Sequence, residues 1–232
     1  MSVDARRFDR RGYPVVGAAA GYGAWAPSYD ETVAEGLDRP LLPRLTSIAW
    51  AKVERAADLA CGTGRTGAWL RQAGVRRIDG VDITPEMLSR ARLRGAHDTL
   101  HLADLAATPL PSASYQLVTL VLADEHLAEL GPVYREAARL LQSGHTFMLI
   151  GYHPFFLLNG LATHFHCADG AAVAIESYVH LFADHIRAAA AAGLSLIELD
   201  ECLIDEEWLA SKPKWQPYLG WPVSFAMVCR KA

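Results

Sequence analysis

The 232-residue chain has few cysteines, little basic charge and no long apolar run. Its four cysteines, at positions 61, 167, 202 and 229, form no C-x-x-C pair. This spacing argues against a disulfide framework and indicates free thiols in a reducing compartment, which we expect to be the cytoplasm. A net charge of −4 argues against a nucleic-acid partner, because phosphate binding usually requires a basic face. No apolar run reaches the roughly 18 residues that a membrane span needs.

Alternating segments dominate the middle of the chain. Short apolar runs predict strands, and amphipathic stretches between them predict helices. The strands are expected at 54–60, 77–82, 98–102, 115–121 and 146–151, and the helices at 65–74, 85–94 and 131–142. Such alternation is typical of a parallel sheet with helices on both faces, whose ligands bind at the carboxyl ends of the strands.

The remaining segments divide the chain further. Residues 1–16, with arginines at 6, 7, 10 and 11, are expected to form a flexible, solvated tail. Residues 17–232 are expected to form one domain, in which 17–52 is a helical cap broken by prolines. Residues 152–192 form an insertion on the substrate side and a helix that begins at Glu176.

A glycine motif carries most of the functional information. The strand-like residues 55–60 run directly into Cys61-Gly62-Thr63-Gly64, and Asp82 ends the next strand-like run. Glycines after a buried strand allow a tight turn and close approach to a ligand, and the following helix offers unpaired N–H groups. A carboxylate at the tip of the next strand can accept two ribose hydroxyls. The pattern therefore predicts a cofactor that contains a nucleoside.

The motif alone leaves two cofactors open. Glycines 62, 64 and 67 also satisfy the G-x-G-x-x-G pattern of NAD-binding proteins. Asp58, however, lies four residues before Gly62, where the strand of a dinucleotide site is normally apolar. A carboxylate there suits the cationic amino group of S-adenosylmethionine better than the pyrophosphate of NAD. An NAD-dependent oxidoreductase remains the weaker alternative.

These segments resemble the class I S-adenosylmethionine-dependent methyltransferases, in particular the small ubiquinone and menaquinone-biosynthesis type. The resemblance covers residues 22–151 and rests on Asp58-Leu-Ala-Cys-Gly-Thr-Gly64, Gly80-Val-Asp82-Ile-Thr-Pro-Glu-Met87-Leu88, Ala103-Asp104-Leu105 and Tyr115-Gln-Leu-Val-Thr-Leu120. A fifth piece, 136–144, departs from the family only in a turn, where His145 replaces a second glycine. The resemblance implies a Rossmann-like α/β fold with a seven-stranded, mostly parallel sheet. It also implies a C-terminal antiparallel hairpin strand, for which 194–203 and 222–230 are the candidates.

The resemblance also implies S-adenosylmethionine as the cofactor and assigns residues to it. The methionine end is assigned to the glycine loop and to aromatic residues of the cap, the ribose to a carboxylate, and the adenine to side chains at the next strand ends. In that order the residues are Asp58, Gly62, Gly64, Tyr22 and Tyr29; Asp82; and Ile83, Met87, Asp104 and the Leu105 N–H. Ala60 and Leu122, at two of the strand ends, are also expected to bind the cofactor. For the two tyrosines, simple packing remains an alternative.

The insertion carries the question of the substrate. Five of the nine histidines, at 153, 164, 166, 180 and 185, lie in it or in the helix after it, and a histidine can take a proton from a methyl acceptor. By resemblance His126, His153 and Tyr152 face the cofactor's methyl group and are the candidate catalytic residues, although a structural role stays open for each. Asp124 and Glu125 are expected to be solvated or to cap a helix. The spacing His164-x-His166-Cys167 fits no common zinc pattern, so no metal is predicted.

The expected function is methyl transfer from S-adenosylmethionine to a small molecule, EC 2.1.1.-. Aromatic and aliphatic residues in 152–166 indicate a partly apolar or aromatic acceptor beneath a mobile cover. A protein of the same fold that binds the cofactor for another reaction or for regulation is the alternative, because a fold does not determine its chemistry. The sequence leaves open the methylated atom, the pathway and the oligomeric state, for which a homodimer is one option.

Overall fold

Strands and helices alternate through most of the computed structural model, which describes residues 3–33 and 35–232. The strands are β1 Val3–Asp4, β2 Val15–Val16, β3 Arg55–Leu59, β4 Arg77–Asp82, β5 Thr99–Leu102, β6 Tyr115–Val121, β7 Leu141–Tyr152, β8 His164–His166, β9 Ala172–Ile175, β10 Tyr178–Val179, β11 Leu194–Leu203 and β12 Pro222–Lys231. The α-helices are α1 Ala18–Trp25, α2 Tyr29–Thr32, α3 Arg65–Gln72, α4 Pro85–Arg94, α5 Gly131–Leu140, α6 Pro154–Leu158, α7 Phe182–Ala191 and α8 Glu206–Ser211.

The main sheet has seven strands in the order β11-β12-β7-β6-β3-β4-β5. Neighbouring strands from β7 to β5 are parallel, whereas β12 runs antiparallel to both β7 and β11. The predicted Rossmann-like fold, with its C-terminal antiparallel hairpin, is therefore confirmed. The chain leaves β3 towards β4 on one side and later returns to β6 on the other, so the strand order reverses beside β3. Ligands of such sheets bind outside the carboxyl ends of the strands at this point.

Both faces of the main sheet are buried at its central strands. Along β7, Phe147 and Leu149 belong to one hydrophobic cluster, and the intervening Met148 and Ile150 belong to another. Side chains of α5 and α7 complete the first cluster, and side chains of α3 and α8 complete the second. Because successive residues of a strand point to opposite faces, burial on both faces requires an unbroken apolar run. This is why the strands were recognisable in the sequence.

The predicted flexible tail is wrong for residues 3–16; residues 1 and 2 lie outside the described part. Strand β1 pairs with β10, and β2 pairs with β9. Ala5 is 1% exposed, and its N–H donates to the carbonyl of Ser177 at 2.9 Å. Strands of two residues are too short to show a period, and their partners lie far along the chain, so the sequence pattern could not reveal them.

A small three-stranded sheet, in the order β2-β9-β8, packs with α1 and α2. From here on, the word cap means these five elements, of which α1 and α2 lie in the predicted helical cap 17–52. Trp25, Phe165 and Ile175 form its core, and the rings of Trp25 and Phe165 stack with their centroids 5.6 Å apart. The insertion is thus partly a sheet, although it showed no clear period. The helix expected from Glu176 begins only at Phe182, because β10 occupies part of that stretch.

Within residues 3–33 and 35–232, no helix is long and apolar enough to cross a bilayer.

All four cysteines are free. Burial raises the pKa of the Cys61 thiol well above its usual value, so this thiol in the glycine loop is protonated and unreactive.

Candidate active site

The glycine loop between β3 and α3 leaves an open face at the edge of the sheet. Ala60, Gly62 and Gly64 have φ values of 52°, 53° and 83°, all in the left-handed region. A Cβ placed on Gly62 would meet no other atom within 4 Å. Glycine at this position therefore gives the backbone its turn and leaves room for a ligand to approach closely.

Asp82 links this loop to the end of β4. One carboxylate oxygen accepts the N–H of Gly62 at 2.8 Å, and the other accepts the N–H of Thr84 at 2.8 Å. Burial raises the pKa of Asp82, and these two backbone hydrogen bonds oppose the rise. Each carboxylate oxygen has a second lone pair, so Asp82 can still accept hydroxyl groups. Its assignment to the ribose stays a prediction that this geometry permits.

Apolar and polar groups at the next strand ends lie where an adenine ring is expected. Ile83 is 51% exposed and Leu102 is 60% exposed, which leaves large apolar side chains open to a ligand at the ends of β4 and β5. Asp104 is exposed and accepts only the N–H of its own turn, and the described residues provide no acceptor for the Leu105 N–H. Met87, by contrast, is 1% exposed, so the structure does not bring it to this surface. Sequence reasoning missed Leu102.

Asp58 lies behind the glycine loop and not on its open face. It is 1% exposed, one oxygen accepts the Thr119 hydroxyl at 2.7 Å, and the other lies 3.0 Å from His97 Nε2. Both oxygens are thus engaged inside the fold, and the structure does not present Asp58 directly to a cofactor's amino group. His97 was missed in the sequence. The available signal was the pair of glycines at 67 and 80, which make room for its ring.

A second unanticipated contact ties the cap to the glycine loop. The Thr63 hydroxyl donates to Asp30 at 2.6 Å. Arg94 donates to the other oxygen of Asp30 at 2.6 Å and to the Thr63 carbonyl at 2.8 Å. The aromatic residues of α1 and α2 are thereby held over the strand ends.

A cavity of about 560 Å³ lies between the cap and the end of β6. Tyr22 and Tyr29, assigned to the cofactor's methionine end, line it together with Tyr152 and with Leu122, which is also predicted to bind the cofactor. Its other walls include the aromatic side chains Trp25, Phe156, Phe165 and Trp215 and the basic side chains Arg11 and Lys214. The volume falls in the range of small-molecule sites.

Glu125 also lines this cavity, which corrects the expectation that Asp124 and Glu125 are solvated. Each is 3% exposed. The turn at Leu122, where φ is 53°, precedes them, and a Cβ on Gly151 would lie 2.7 Å from both Asp124 oxygens. The missing side chain at Gly151 therefore gives the buried Asp124 carboxyl its space. Burial, and then the charge of Asp124, raise the pKa of Glu125 to about 8.

His126 reaches the cavity only through Tyr22. Its Nδ1 lies 2.7 Å from the Glu176 carbonyl and its Nε2 lies 2.9 Å from the Tyr22 hydroxyl. A carbonyl can only accept, so we assign the ring proton to Nδ1, and Nε2 accepts the tyrosine hydroxyl. Burial lowers the pKa of His126, so the ring is neutral and positions Tyr22.

The structure does not bring His153 to the cavity. Its Nε2 lies 2.9 Å from Glu201 Oε1, and its Nδ1 accepts the N–H of Phe155 at 3.1 Å. The ring packs against Phe182 and Phe225. Both nitrogens are engaged beside β11, so a catalytic role for His153 has no geometric support.

Both histidines of β8, His164 and His166, also line the cavity. His164 lies 2.9 Å from an Arg11 nitrogen, and His166 is exposed. Among the residues that the structure describes, no group of three histidine, cysteine, aspartate or glutamate side chains could hold a metal ion.

Comparisons with known proteins agree with this geometry. The family model "Methyltransferase domain" matches residues 57–149. Human methyltransferase-like protein 27 is 39% identical over 98 residues, which are 39% of this chain and 39% of the relative. A malonyl-[acyl-carrier protein] O-methyltransferase from Halorhodospira halophila is 32% identical over 188 residues, which are 78% of this chain and 59% of the relative.

A solved S-adenosylmethionine-dependent methyltransferase from Mesorhizobium loti has the same fold. Its TM-score is 0.68 at 21% sequence identity, with 87% of this chain and 99% of that chain covered. The chain spans 39% and 59% of the lengths of the two curated relatives. These relatives do not single out the ubiquinone and menaquinone subtype, which stays a prediction. Residues 57–149 are thus similar to the methyltransferase-domain family, and the chain has the fold of a solved S-adenosylmethionine-dependent methyltransferase.

Proposed function

We propose that this protein transfers the methyl group of S-adenosylmethionine to a small molecule held in the cavity of about 560 Å³. One observation carries the proposal. Tyr22 and Tyr29, which sequence reasoning assigned to the cofactor's methionine end, line this cavity together with Leu122, another residue predicted to bind the cofactor. A molecule in the cavity would therefore lie beside the reactive end of the cofactor.

The residues present fit the cofactor. The open face at Gly62 admits a ligand close to the backbone, Asp82 has free lone pairs for the ribose, and Ile83 and Leu102 offer apolar surface to the adenine. When bound, S-adenosylmethionine supplies an electrophilic methyl group. The chain's own contribution is to hold the acceptor in line and to exclude water, and such positioning alone can supply a large part of a rate enhancement.

The cavity walls favour a planar, partly apolar acceptor. Trp25 stacks with Phe165, and Phe156 stacks with Trp215 with ring centroids 5.4 Å apart. Flat aromatic walls give large contact area to a flat ligand. The four free thiols fit a reducing compartment such as the cytoplasm.

The test is a labelling screen. Purified protein is incubated with S-adenosylmethionine labelled in its methyl group and with a panel of phenols, enols, amines and carboxylic acids, and the label is followed into the small molecule. We expect transfer to at least one planar acceptor. Trp215→Ala, which removes one aromatic wall, should raise KM for that acceptor and leave cofactor affinity unchanged.

The outcome also separates the alternatives. Cofactor binding without transfer to any member of the panel would contradict small-molecule methylation and favour a non-methylating or regulatory use of the same fold. No binding of the cofactor would reject the whole proposal.

A further inference from the structure

Glu125 is the buried carboxyl of the acceptor cavity, and its role deepens the proposed function, on which this inference rests. It is 3% exposed and lines the cavity. Its Oε1 accepts the Thr163 hydroxyl at 3.3 Å. Its Oε2 is buried, and the described residues form no hydrogen bond to it. A buried polar atom without a partner is costly and calls for an explanation in terms of function or a missing ligand.

The buried tyrosines of the cavity and His126 are poor proton acceptors. Burial raises the pKa of Tyr22, Tyr29 and Tyr152 above the usual tyrosine value, so all three hydroxyls keep their protons. His126 Nε2 lies 3.6 Å from Glu125 Oε1, but that nitrogen already accepts the Tyr22 hydroxyl. His164 and His166 also line the cavity, but His164 Nδ1 lies 2.9 Å from an Arg11 nitrogen and His166 is exposed.

Two further carboxylates are less well placed. Asp124, the neighbour of Glu125 in the chain, is buried and lies 3.4 Å from His185 Nε2. Glu31, on the cap side of the cavity, is exposed. Among the described residues that line the cavity, Glu125 is therefore the carboxyl best placed to take a proton from a bound molecule.

We propose that Glu125 loses its proton when the cationic cofactor binds and then accepts the proton of a weakly acidic hydroxyl group, a phenol or an enol, as that hydroxyl is methylated. In this step the acceptor's oxygen forms a bond to the methyl carbon, and the bond between methyl and sulfur breaks with its electron pair left on sulfur. The O–H bond breaks, and its proton passes to the carboxylate of Glu125. Charge balances, because one cation and one carboxylate become neutral.

The need for a base favours a hydroxyl group over other methyl acceptors. A carboxylate needs no base, and a neutral amine attacks with its lone pair before any proton must leave. A phenol or an enol, in contrast, becomes a strong nucleophile only as its proton departs. The pKa of a buried carboxylate rises again as the sulfonium charge disappears during transfer, so this carboxylate is better matched to such a weak acid than an exposed carboxylate. The aromatic walls accommodate the planar body of a phenol or an enol.

The first step follows from electrostatics. A positive charge near a buried carboxyl stabilises its ionised form and lowers its pKa. S-adenosylmethionine carries a sulfonium charge, and its demethylated product does not. Binding of the cofactor should therefore release the proton of Glu125, and binding of the product should release much less.

Isothermal titration calorimetry in buffers of different ionisation enthalpy measures this release without any acceptor. At pH 7 we expect the wild-type protein to release about half a proton or more per S-adenosylmethionine relative to Glu125→Gln, because a group with a pKa near 8 is mostly protonated at that pH. With S-adenosylhomocysteine the two proteins should differ much less. Glu129→Gln makes the same change at an exposed site on the same loop and should behave as wild type.

A second variant tests the inference even if Glu125→Gln does not fold. Thr163→Val removes the hydrogen bond to Oε1, which favours the ionised form of Glu125, so the pH profile of proton release should shift to higher pH. Equal proton release by the wild type and Glu125→Gln, or equal release with both nucleosides, would overturn the inference. Failure of S-adenosylmethionine to bind at all would instead reject the proposed function.

The transfer step has its own readout. For a phenol or enol found by the labelling screen, Glu125→Gln should lower kcat about 100-fold or more, the usual contribution of a positioned base, while KM changes little. The wild-type rate should rise as Glu125 ionises, whereas the variant's rate should rise only at the higher pH at which the acceptor itself ionises. If only carboxylic acids are methylated, and Glu125→Gln methylates them at the wild-type rate, Glu125 is not the base.

Discussion

His97 Nε2 lies 3.0 Å from Asp58 Oδ2, and both side chains are buried behind the glycine loop. The His97 ring occupies space that side chains at Gly67 and Gly80 would need, since a Cβ there would lie 2.5 Å and 2.7 Å from it. The third glycine of the G-x-G-x-x-G pattern, Gly67, thus makes room for the His97 ring. The same glycine spacing can therefore arise without a dinucleotide site.

Gly67→Ala should destabilise the protein although Gly67 lies inside helix α3. Alanine normally gains about 1 kcal/mol over glycine in a helix. Here the new methyl group would clash with His97, and such overpacking typically costs about 1–3 kcal/mol. Chemical denaturation measures the free energy of unfolding, and a variant at least as stable as the wild type would show that the His97 ring moves aside easily.

Asp82→Asn should weaken binding of S-adenosylmethionine at least tenfold, or about 1.4 kcal/mol, because the amide can no longer accept hydrogen bonds on both sides. Calorimetry gives the dissociation constant. Asp169→Asn is a matched control, since Asp169 also accepts an N–H two residues ahead, at 2.9 Å to Ala171, but on an exposed loop. An unchanged dissociation constant in folded Asp82→Asn would place the cofactor elsewhere.

His126 and His153 should respond differently to substitution. His126→Ala removes the acceptor that holds the Tyr22 hydroxyl, so methyl transfer should fall severalfold or more while cofactor affinity changes little. His153→Ala should cost stability, because its contacts with Glu201 and the neighbouring rings are lost, and should leave transfer within about twofold. The labelling assay and thermal denaturation separate the two effects. An equal loss of transfer in both variants would contradict the assignment.

Glu125 should make the protein less stable at alkaline pH. Its pKa is raised from 4.5 to about 8 in the folded state, so the folded chain holds a proton that the unfolded chain has lost. The stabilisation is complete below about pH 4.5 and is lost as the pH rises towards 8, with a slope of at most about 1.4 kcal/mol per pH unit. Urea denaturation from pH 5 to 9 should show a flatter profile for Glu125→Gln. Parallel profiles would show that Glu125 is not a buried acid.

The central strands were predictable because burial on two faces requires a continuous run of apolar residues, which is visible in the local sequence. The runs expected at 54–60, 77–82 and 115–121 agree with β3, β4 and β6 to within one residue at each end. The glycine loop and Asp82 follow from the same logic, since their positions relative to the strand ends are set by a few neighbouring residues.

The errors occurred where partners lie far apart in the sequence. The strand pair β2–β9 and the contact between Asp58 and His97 join residues that no local period connects. The burial of Glu125 depends on Thr163 and on the cap above it. An acidic pair that follows a strand carries no local sign of this burial, so the sequence alone predicted that both side chains are exposed to solvent or cap a helix. The histidines of the insertion were enriched beside the cavity, but their ring nitrogens mostly serve packing and internal hydrogen bonds.

The most direct test of the account is a calorimetric titration of the purified chain with S-adenosylmethionine, S-adenosylhomocysteine and NAD. We expect both sulfur nucleosides to bind at one site per chain, at the strand ends marked by Gly62 and Asp82, and NAD to give no binding heat. Tight binding of NAD, with no response to either sulfur nucleoside, would contradict the central claim.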